Sequence, residues 1–380
     1  MPHPPFNILA LAGFVHQHLL WFLLAAYALA ALFPGPGMWM RTASFGRFSI
    51  IGASFDLSLV LMLLATMMFN AGLGVKLTHM RALRRKARLL IAGLAANLVV
   101  PVLYVFGVMQ LLRFWHNPEE AQHVLVGLAL IASMPIAGSS TAWAQNSNGN
   151  LALSLGLVLC STLLSPFVTP AGFYVFGEMA SQEYETVLRN LAHYGSSAFL
   201  GVWVVLPVML GFAARTLMSD DVLKAMMPVV KFINAVVLLL LNYSNASVSL
   251  PRALADHDLD FLALSFAITS TLCVTAFGAA YGIGKMLRAD EPDRVSLVYG
   301  LGMNNNGTGL VLASLALSSF PRVMVAVILY NLTQHVVAGA VHECLIRRAR
   351  EAESGNDGER VPIRGSSDRH ASAIATEIRQ

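Results

Sequence analysis

Charged side chains are scarce in this chain. Asp, Glu, Lys and Arg make up 12% of its 380 residues, whereas apolar residues make up 56%. Soluble domains carry roughly 25% charged residues, so this composition excludes an ordinary soluble protein and predicts a chain embedded in a lipid bilayer. The net charge of +4 resides mainly in loops and in the C-terminal segment. It therefore indicates membrane topology, and we expect no nucleic-acid partner.

Cysteine is also rare, and its positions exclude a disulfide framework. Cys160, Cys273 and Cys344 lie in or beside apolar segments without the spacing of metal ligands, which predicts packing residues. No Ser/His/Asp or paired-carboxylate pattern is visible either, so we expect neither an enzyme nor a resident cofactor. The N-terminus lacks the basic region of a signal peptide. The first apolar run is therefore expected to be a retained membrane span.

Long apolar runs dominate the chain instead. A helix needs about 20 apolar residues to cross a bilayer, and the sequence contains ten such runs, which predicts an all-α membrane protein. Residues 1–17 form an N-terminal segment. Residues 347–380 are too polar to bury a core, which predicts a disordered cytoplasmic tail. The ten predicted spans lie near residues 18–34, 56–75, 88–112, 122–146, 150–177, 194–216, 225–246, 260–286, 295–315 and 319–346.

The basic residues of the short loops predict the orientation of these spans. Eleven Lys or Arg residues between positions 76 and 294 fall on one face of the membrane, and six, from Arg41 to Arg322, fall on the other. Cytoplasmic loops carry the excess of Lys and Arg, so both termini are expected in the cytoplasm and the protein in the plasma (inner) membrane. An odd number of spans per half inverts the second half. Ten spans thus predict two inverted five-helix repeats, residues 18–190 and 191–346.

Two short segments interrupt the apolar pattern at corresponding positions of the two halves. Residues 135–141 read Pro-Ile-Ala-Gly-Ser-Ser-Thr in span four, and residues 302–309 read Gly-Met-Asn-Asn-Asn-Gly-Thr-Gly in span nine. An unpaired backbone group is costly in hydrocarbon, so a broken helix persists only where it lines a cavity or a site. Two such breaks, one in each half, are typical of the central binding site of a secondary transporter.

The broken ends offer two kinds of binding group. A half-helix N-terminus presents free N–H groups that suit a carboxylate, and a half-helix C-terminus presents carbonyl oxygens that suit a small cation such as sodium. A single Ser or Gly in such a helix is more often a packing residue. Three consecutive Asn flanked by Gly favour a site, because several amides need partners at once. The candidate substrate-binding residues are Asn97, Ser139, Ser140, Thr141, Asn304, Asn305, Asn306 and Gly307.

At these residues the chain resembles the bile acid:sodium symporter family, over roughly residues 18–346. The resemblance implies a ten-helix inverted repeat with discontinuous, crossing helices four and nine, in which a six-helix core moves against a four-helix panel. It also implies an organic anion, bile acid-like or a small carboxylate, as the substrate. The matching motifs are residues 67–74, Pro101, residues 149–154, residues 161–170 and residues 302–305, where Gly-Met-Asn-Asn replaces the usual Gly-Met-Gln-Asn.

The resemblance further implies a sodium site, which this chain retains only in part. Gly300 stands where the family typically has a Glu that serves both sodium sites, and no Asp or Glu occurs in residues 121–177 or 295–342. Neutral oxygens attract sodium less strongly than a carboxylate does. Weak sodium coupling, coupling to another ion and uncoupled transport therefore all stay open. The candidate ligands of this weakened site are Ser140, Thr141, Ser154, Leu301, Met303 and Asn304.

Three polar features near the predicted site each allow two interpretations. Lys231, near the start of span seven, either snorkels to the membrane interface or pairs with an anionic substrate. Residues 242–245 either form the other wall of the crevice or mark the end of span seven before Pro251. His335 in span ten is either a neutral core histidine or, if a proton replaces sodium, the titrating group.

The sequence as a whole predicts a secondary active transporter of an organic anion that works by alternating access, with sodium as a candidate coupling ion. Its expected partners are the substrate and the lipid bilayer, and the oligomeric state is left open. The alternative is a membrane ligand-binding or sensory protein on the same scaffold that has lost ion coupling. The absence of a carboxylate at Gly300 motivates that alternative.

Overall fold

A computed structural model of the chain describes residues 14–15, 18–50, 53–75, 83–255, 258–317 and 319–357, which are mostly helical. Its elements are α1 (Leu19–Leu32), α2 (Pro34–Thr42), β1 (Ser44–Ile50), β2 (Ala53–Ser58), α3 (Leu59–Leu73), α4 (Ala87–Leu112), α5 (Pro118–Ser133), α6 (Ser139–Asn146), α7 (Leu151–Gly177), α8 (Gln182–Asn190), α9 (Ser196–Leu200), α10 (Leu206–Leu217), α11 (Asp220–Ala255), α12 (Leu259–Met286), α13 (Glu291–Gly302), α14 (Asn306–Ala316) and α15 (Val323–Asp357). Residues 191–195 and 201–205 are π-helical turns that join α8, α9 and α10.

Several of these helices are long and apolar enough to cross a bilayer, so the chain is a multi-pass integral membrane protein. The pair α1 and α2 meets the same criterion when taken together, with an 89° bend between them. The predicted spans near residues 56–75, 122–146 and 295–315 coincide with shorter or broken helices, and the count of ten spans stays a prediction. Six segments of the described residues qualify singly: Arg84–Leu112, Leu151–Gly177, Ser196–Leu217, Asp220–Arg252, Leu259–Met286 and Val323–Arg347.

The distribution of side chains between surface and interior agrees with a membrane environment. The large apolar side chains of Ile91, Leu103 and Phe167 are 66%, 65% and 76% exposed, whereas the polar residues Ser154 and Thr169 are completely buried. A water-soluble protein buries most residues of the first kind. The outer surface of these helices is therefore suited to contact with lipid.

The structure differs from the sequence prediction in two places. Strands β1 and β2 pair in an antiparallel sheet, and β2 includes residues 56–58, where the predicted second span begins. The last helix continues to Asp357, past residue 346, because Arg, Ala and Glu in this stretch favour a helix. Most of the predicted N-terminal segment, together with residues 358–380 of the predicted tail, lies outside the described residues.

The chain divides into two compact units, Met1–Gly339 and Ala340–Gln380. Within the first unit the helices pack as two groups. We call α1, α2, α3, α10 and α11 the panel, and α4, α5, α6, α7, α12 and α13 the core, because each set packs mainly on itself. The short helix α14 contacts both groups, through α3 and α11 on one side and α5 on the other. It therefore lies at the seam between panel and core.

Candidate functional site

The first helix break separates α5 from α6. The residue before a proline is pushed away from helical angles, and Met134, which precedes Pro135, is extended with φ −78° and ψ 149°. The chain becomes helical again at Ser139. The interruption that the sequence predicts in span four is confirmed.

The second break separates α13 from α14. Met303 follows the last residue of α13 and is extended, with φ −126° and ψ 112°. Asn305 then starts α14, since its Oδ1 accepts a hydrogen bond from the Thr308 N–H at 3.2 Å, the geometry of an N-cap. The interruption predicted in span nine is also confirmed.

The two breaks meet and pair with each other through their backbones. The Ala137 N–H donates to the Met303 carbonyl at 2.9 Å, and the Asn305 N–H donates to the Pro135 carbonyl at 2.8 Å. These bonds form an antiparallel bridge between Ile136 and Asn304. Each break thereby satisfies backbone groups that the other leaves unpaired. Two half-helices, α5 and α13, end at this bridge, and α6 and α14 begin there.

A chain of buried amides connects the second break with the panel. The Gln334 side chain of α15 pairs with the backbone of Asn304, and its Nε2 also donates to Asn331 Oδ1 at 3.2 Å. Asn331 Nδ2 in turn donates to the Tyr27 hydroxyl at 2.7 Å and to Asn242 Oδ1 at 2.9 Å. Tyr27 belongs to α1 and Asn242 to α11. The break is thus joined to two panel helices by side-chain hydrogen bonds.

Several buried polar atoms around the breaks lack a hydrogen-bond partner within the described part of the chain. Asn306 is the clearest case, since it is 1% exposed and neither amide atom is bonded. An unsatisfied buried polar group costs about 1–3 kcal/mol, and native proteins leave few. A concentration of unpaired polar atoms at two helix breaks is expected of groups that bind a solute. The atoms concerned are Asn97 Oδ1, Ser140 Oγ, Asn304 Oδ1, Asn306 Oδ1 and Nδ2, and Thr308 Oγ1.

The remaining candidate substrate-binding residues differ in exposure and in their contacts. Ser139 is partly exposed at the start of α6, and Gly307 is buried in the first turn of α14. Asn305 uses its oxygen as the N-cap, and its Nδ2 lies 3.9 Å from Met68 Sδ. Asn97 lies on α4, one turn beyond Gly93, which contacts α7 and α13. The role of these residues in binding stays a prediction.

The candidate sodium ligands form a group of neutral oxygens. Ser154 Oγ of α7 donates to Thr141 Oγ1 of α6 at 3.2 Å, and Ser140 lies beside Thr141 with its hydroxyl buried. The carbonyl of Met303 already accepts the Ala137 N–H, which leaves it one lone pair for a cation. Oxygen atoms are a suitable type of ligand for sodium, but no carboxylate is among these candidates. The assignment of Leu301, Met303 and Asn304 as further ligands stays a prediction.

The structure distinguishes between the interpretations of residues 242–245. α11 continues to Ala255, so the alternative that these residues mark the end of a helix is wrong. Pro251 lies in the last turns of α11 and does not end it earlier. Asn242, Ser244 and Asn245 are all buried, and Asn242 bonds to α15. This stretch therefore belongs to the face of α11 that is turned toward the rest of the protein.

Sequence reasoning missed two members of the amide chain, Tyr27 and Asn331. A polar Asn inside an apolar span is a usable indication of a functional or structural role, whereas an isolated Tyr in a span gives none. Lys231 is exposed on α11 and His335 is buried on α15. The choice between the two interpretations of each stays open.

Comparison with known proteins adds independent information. The Sodium Bile acid symporter family model matches residues 61–251. The uncharacterized sodium-dependent transporter YocS of Bacillus subtilis (strain 168) is 26% identical over 307 residues, which are 77% of this chain and 87% of that protein. The uncharacterized protein YbaS of the same organism is 29% identical over 219 residues, which are 56% of this chain and 66% of that protein. The segment that the family model matches contains the first break.

Proposed function

We propose that this chain, which belongs to the sodium bile acid symporter family, is a secondary transporter that carries an organic anion by alternating access. Its family and its similarity to a protein described as a sodium-dependent transporter support transport as the activity. The observation that carries the proposal is the meeting of two broken helices among buried polar atoms. An ordinary bundle has no need to interrupt two helices at one place.

The proposed scaffold has ten spans arranged as two inverted repeats of five. Helices occupy each of the ten apolar runs of the sequence, and the breaks fall in runs four and nine, the same place in each half. We place both termini in the cytoplasm and the protein in the plasma (inner) membrane, on the distribution of Lys and Arg in the loops.

Charge at the breaks follows from the direction of the four half-helices. α6 and α14 start there and direct the partially positive ends of their dipoles at the breaks, whereas α5 and α13 end there and present carbonyl oxygens. In the first turn of α14 two N–H groups are already bonded, Asn306 to the Asn304 carbonyl at 2.8 Å and Thr308 to Asn305 Oδ1 at 3.2 Å. We place the carboxylate of the substrate at the N-terminus of α14, within reach of the unbonded Asn306 amide. Asn97, Ser140 and Thr308 supply further polar contacts to the same solute.

Sodium is the coupling ion that we propose. The hydroxyls of Ser140, Thr141 and Ser154 and the carbonyls at the end of α13 form its candidate site. Because these ligands are neutral, the ion gains little Coulomb attraction from the protein. The carboxylate of a bound substrate would supply the missing negative charge. Sodium and substrate are therefore expected to bind together rather than separately.

Alternating access requires the core to move relative to the panel. The chain of amides from Asn304 to Tyr27 and Asn242 crosses between these two groups. Those of its hydrogen bonds that join the core to the panel must break and form again in each cycle. We therefore regard this chain as one of the contacts that favour the conformation described here over the alternate one.

Uptake by purified protein in proteoliposomes tests the proposal. Wild-type protein is expected to accumulate a radiolabelled organic anion, such as cholate, in sodium medium and less in potassium or choline medium. Uptake driven by a pH gradient in place of a sodium gradient distinguishes proton coupling from sodium coupling. Ser140→Ala is expected to reduce accumulation, whereas Ser197→Ala, at an exposed position of α9, serves as the control.

The same experiment separates the transporter from a sensory protein on the same scaffold. The neutral residue Gly300 is the observation that favours a sensor, since it removes the charge expected for tight ion coupling. A sensor would bind the anion to purified protein, as detected by a thermal shift, without any accumulation over time. Binding without accumulation in all media would overturn the proposed transport.

A further inference from the structure

Arg41 connects the panel with α14 at the end of the seam that lies away from the breaks. Its Nη2 donates to the Ser314 carbonyl at 2.8 Å, and its Nη1 donates to Asn245 Oδ1 at 3.3 Å. Ser314 lies near the C-terminal end of α14, and Asn245 lies in α11. The guanidinium, which belongs to α2, thus contacts both α11 and α14.

Within the described part of the chain, the guanidinium of Arg41 has only neutral acceptors. No carboxylate of the described residues lies within 4.0 Å of the Arg41 guanidinium. The ion pairs among these residues all involve other basic side chains. Removing a cation partly from water without a counter-ion is costly. The negative end of the α14 dipole offsets part of that cost and leaves a positive charge at the seam.

Two hydrogen-bond donors on α11, in Asn245 and Ser249, lack a partner among the described residues. Asn245 is completely buried, its Oδ1 accepts from Arg41, and its Nδ2 has no partner in the part of the chain that the structure describes. A guanidinium can only donate, so the amide must turn its oxygen to Arg41 and keep its N–H₂ group unpaired. One turn further along α11, the buried hydroxyl of Ser249 is also unpaired. A ligand group with several acceptor oxygens and a negative charge would complement these donors and the Arg41 guanidinium.

This location is distinct from the site at the breaks. Ser314 lies eight positions after Asn306 in α14, which at a rise of 1.5 Å per residue is about 12 Å along the helix. A carboxylate held at the N-terminus of α14 therefore cannot also contact Arg41. The basic residues of the loops place Arg41 on the face opposite the predicted cytoplasmic side.

We infer that Arg41, Asn245 and Ser249 form an outer recruiting site for the carboxylate or sulfonate group of the transported anion. The inference rests on the proposed function, in which the solute is an organic anion. When the seam opens, Arg41 loses the Ser314 carbonyl, and the oxygens of the arriving anion take its place. No covalent chemistry is involved.

Transport kinetics give the first test. Arg41→Gln keeps hydrogen-bond donors but removes the charge, and we expect it to raise KM for cholate about tenfold, the effect of losing one charge-assisted hydrogen bond, with Vmax little changed. Arg41→Lys should be intermediate. In wild type, KM should also rise with potassium chloride at fixed sodium, because salt screens the charge. Arg322→Gln is the matched control, since Arg322 is already paired with Asp258 at 3.0 Å.

Chemical labelling gives a second test that does not depend on transport. Phenylglyoxal modifies accessible arginines, and mass spectrometry of purified wild-type protein reports the rate at Arg41. We expect cholate to slow this labelling several-fold and the uncharged methyl ester of cholate to leave it unchanged. This measurement also stands if the Arg41 variants fail to fold.

The two tests together separate failure of the site from failure of the transport function. Charge-selective protection of Arg41 without accumulation of cholate would support the site and count against transport. Accumulation by wild type with an unchanged KM in Arg41→Gln would overturn the recruiting role. Equal protection by cholate and its ester, or none by either, would overturn the site whether or not cholate is transported.

Discussion

Leu157 fills the space beside Gly300. A Cβ placed on Gly300 would lie 2.9 Å from Leu157 Cδ1, and a Cβ placed on Gly93 would lie 2.8 Å from Leu157 Cδ2. The leucine thus packs from α7 against α4 and α13, next to the position where the resemblance to the family implies a glutamate. An apolar side chain occupies the room that a carboxylate would need.

Restoring the carboxylate should therefore be easier when this leucine is shortened. The double variant Gly300→Glu with Leu157→Ala is expected to lower the sodium concentration for half-maximal uptake about tenfold or more, because a buried carboxylate adds Coulomb attraction. Uptake measured at increasing sodium concentrations gives this half-maximal concentration. Leu157→Ala alone is the control: it should lose about 2–5 kcal/mol of stability and keep its sodium dependence. A double variant with wild-type sodium dependence would contradict the assigned cation site.

Asn306 offers a sharp distinction between a binding residue and a structural one. Asn306→Leu keeps the branched shape of the side chain and removes two buried polar atoms that have no partner among the described residues, so thermal stability should be unchanged or higher. Uptake should fall at least about tenfold if the amide binds solute, the loss of one hydrogen bond to a charged group. Both are measured on the same preparation. Reduced stability together with normal uptake would show that the amide serves the fold.

Asn305→Ala is the contrasting variant at the next position. Its oxygen caps α14 through the Thr308 N–H, so the substitution should cost about 1 kcal/mol of stability. Thermal unfolding in detergent is measured as the fraction of protein that stays monodisperse on heating. It compares the stability of Asn305→Ala with that of Asn306→Leu.

Gln334 holds the backbone of the second break by two hydrogen bonds. Its Oε1 accepts the Asn304 N–H at 3.1 Å, and its Nε2 donates to the Asn304 carbonyl at 3.3 Å. Gln334→Leu would leave the Asn304 N–H unpaired, while the Asn304 carbonyl would keep its bond from the Asn306 N–H at 2.8 Å, and we expect a loss of about 1–3 kcal/mol together with reduced uptake. Gln110→Leu is the control, because the one side-chain bond of Gln110 within the described residues is to the Phe106 carbonyl of its own helix. Equal stability of the two variants would argue against this role.

Two glycines allow α3 and α10 to pack backbone against backbone. A Cβ on Gly211 would lie 1.9 Å from the Phe69 carbonyl oxygen, and one on Gly72 would lie 2.0 Å from the Val208 carbonyl oxygen. Gly211→Ala should therefore separate the helices and reduce the yield of folded protein. Gly278→Ala, where nothing lies within 4 Å, should be neutral or slightly stabilising. Similar yields for the two variants would contradict the close packing.

The sequence predicts the breaks but not the contacts that complete the site. Pro135 and the run of Asn and Gly act on the backbone of their own neighbourhood, so local composition is enough to find them. Tyr27 and Asn331 are far apart in the chain yet share a hydrogen bond. Arg41 and Ser314 are likewise distant. No local pattern predicts such pairs.

The sequence by itself determined that the chain lies in a membrane, where most of its helices lie and where two of them break, because hydrophobicity and backbone pairing are local properties. Only the tertiary structure decided what three identical amides do. Asn304 donates to the Ile131 carbonyl, Asn305 caps α14, and the side-chain amide of Asn306 is buried without a partner among the described residues. Their different partners follow from the direction in which each side chain leaves the turn and from which distant helix occupies that side.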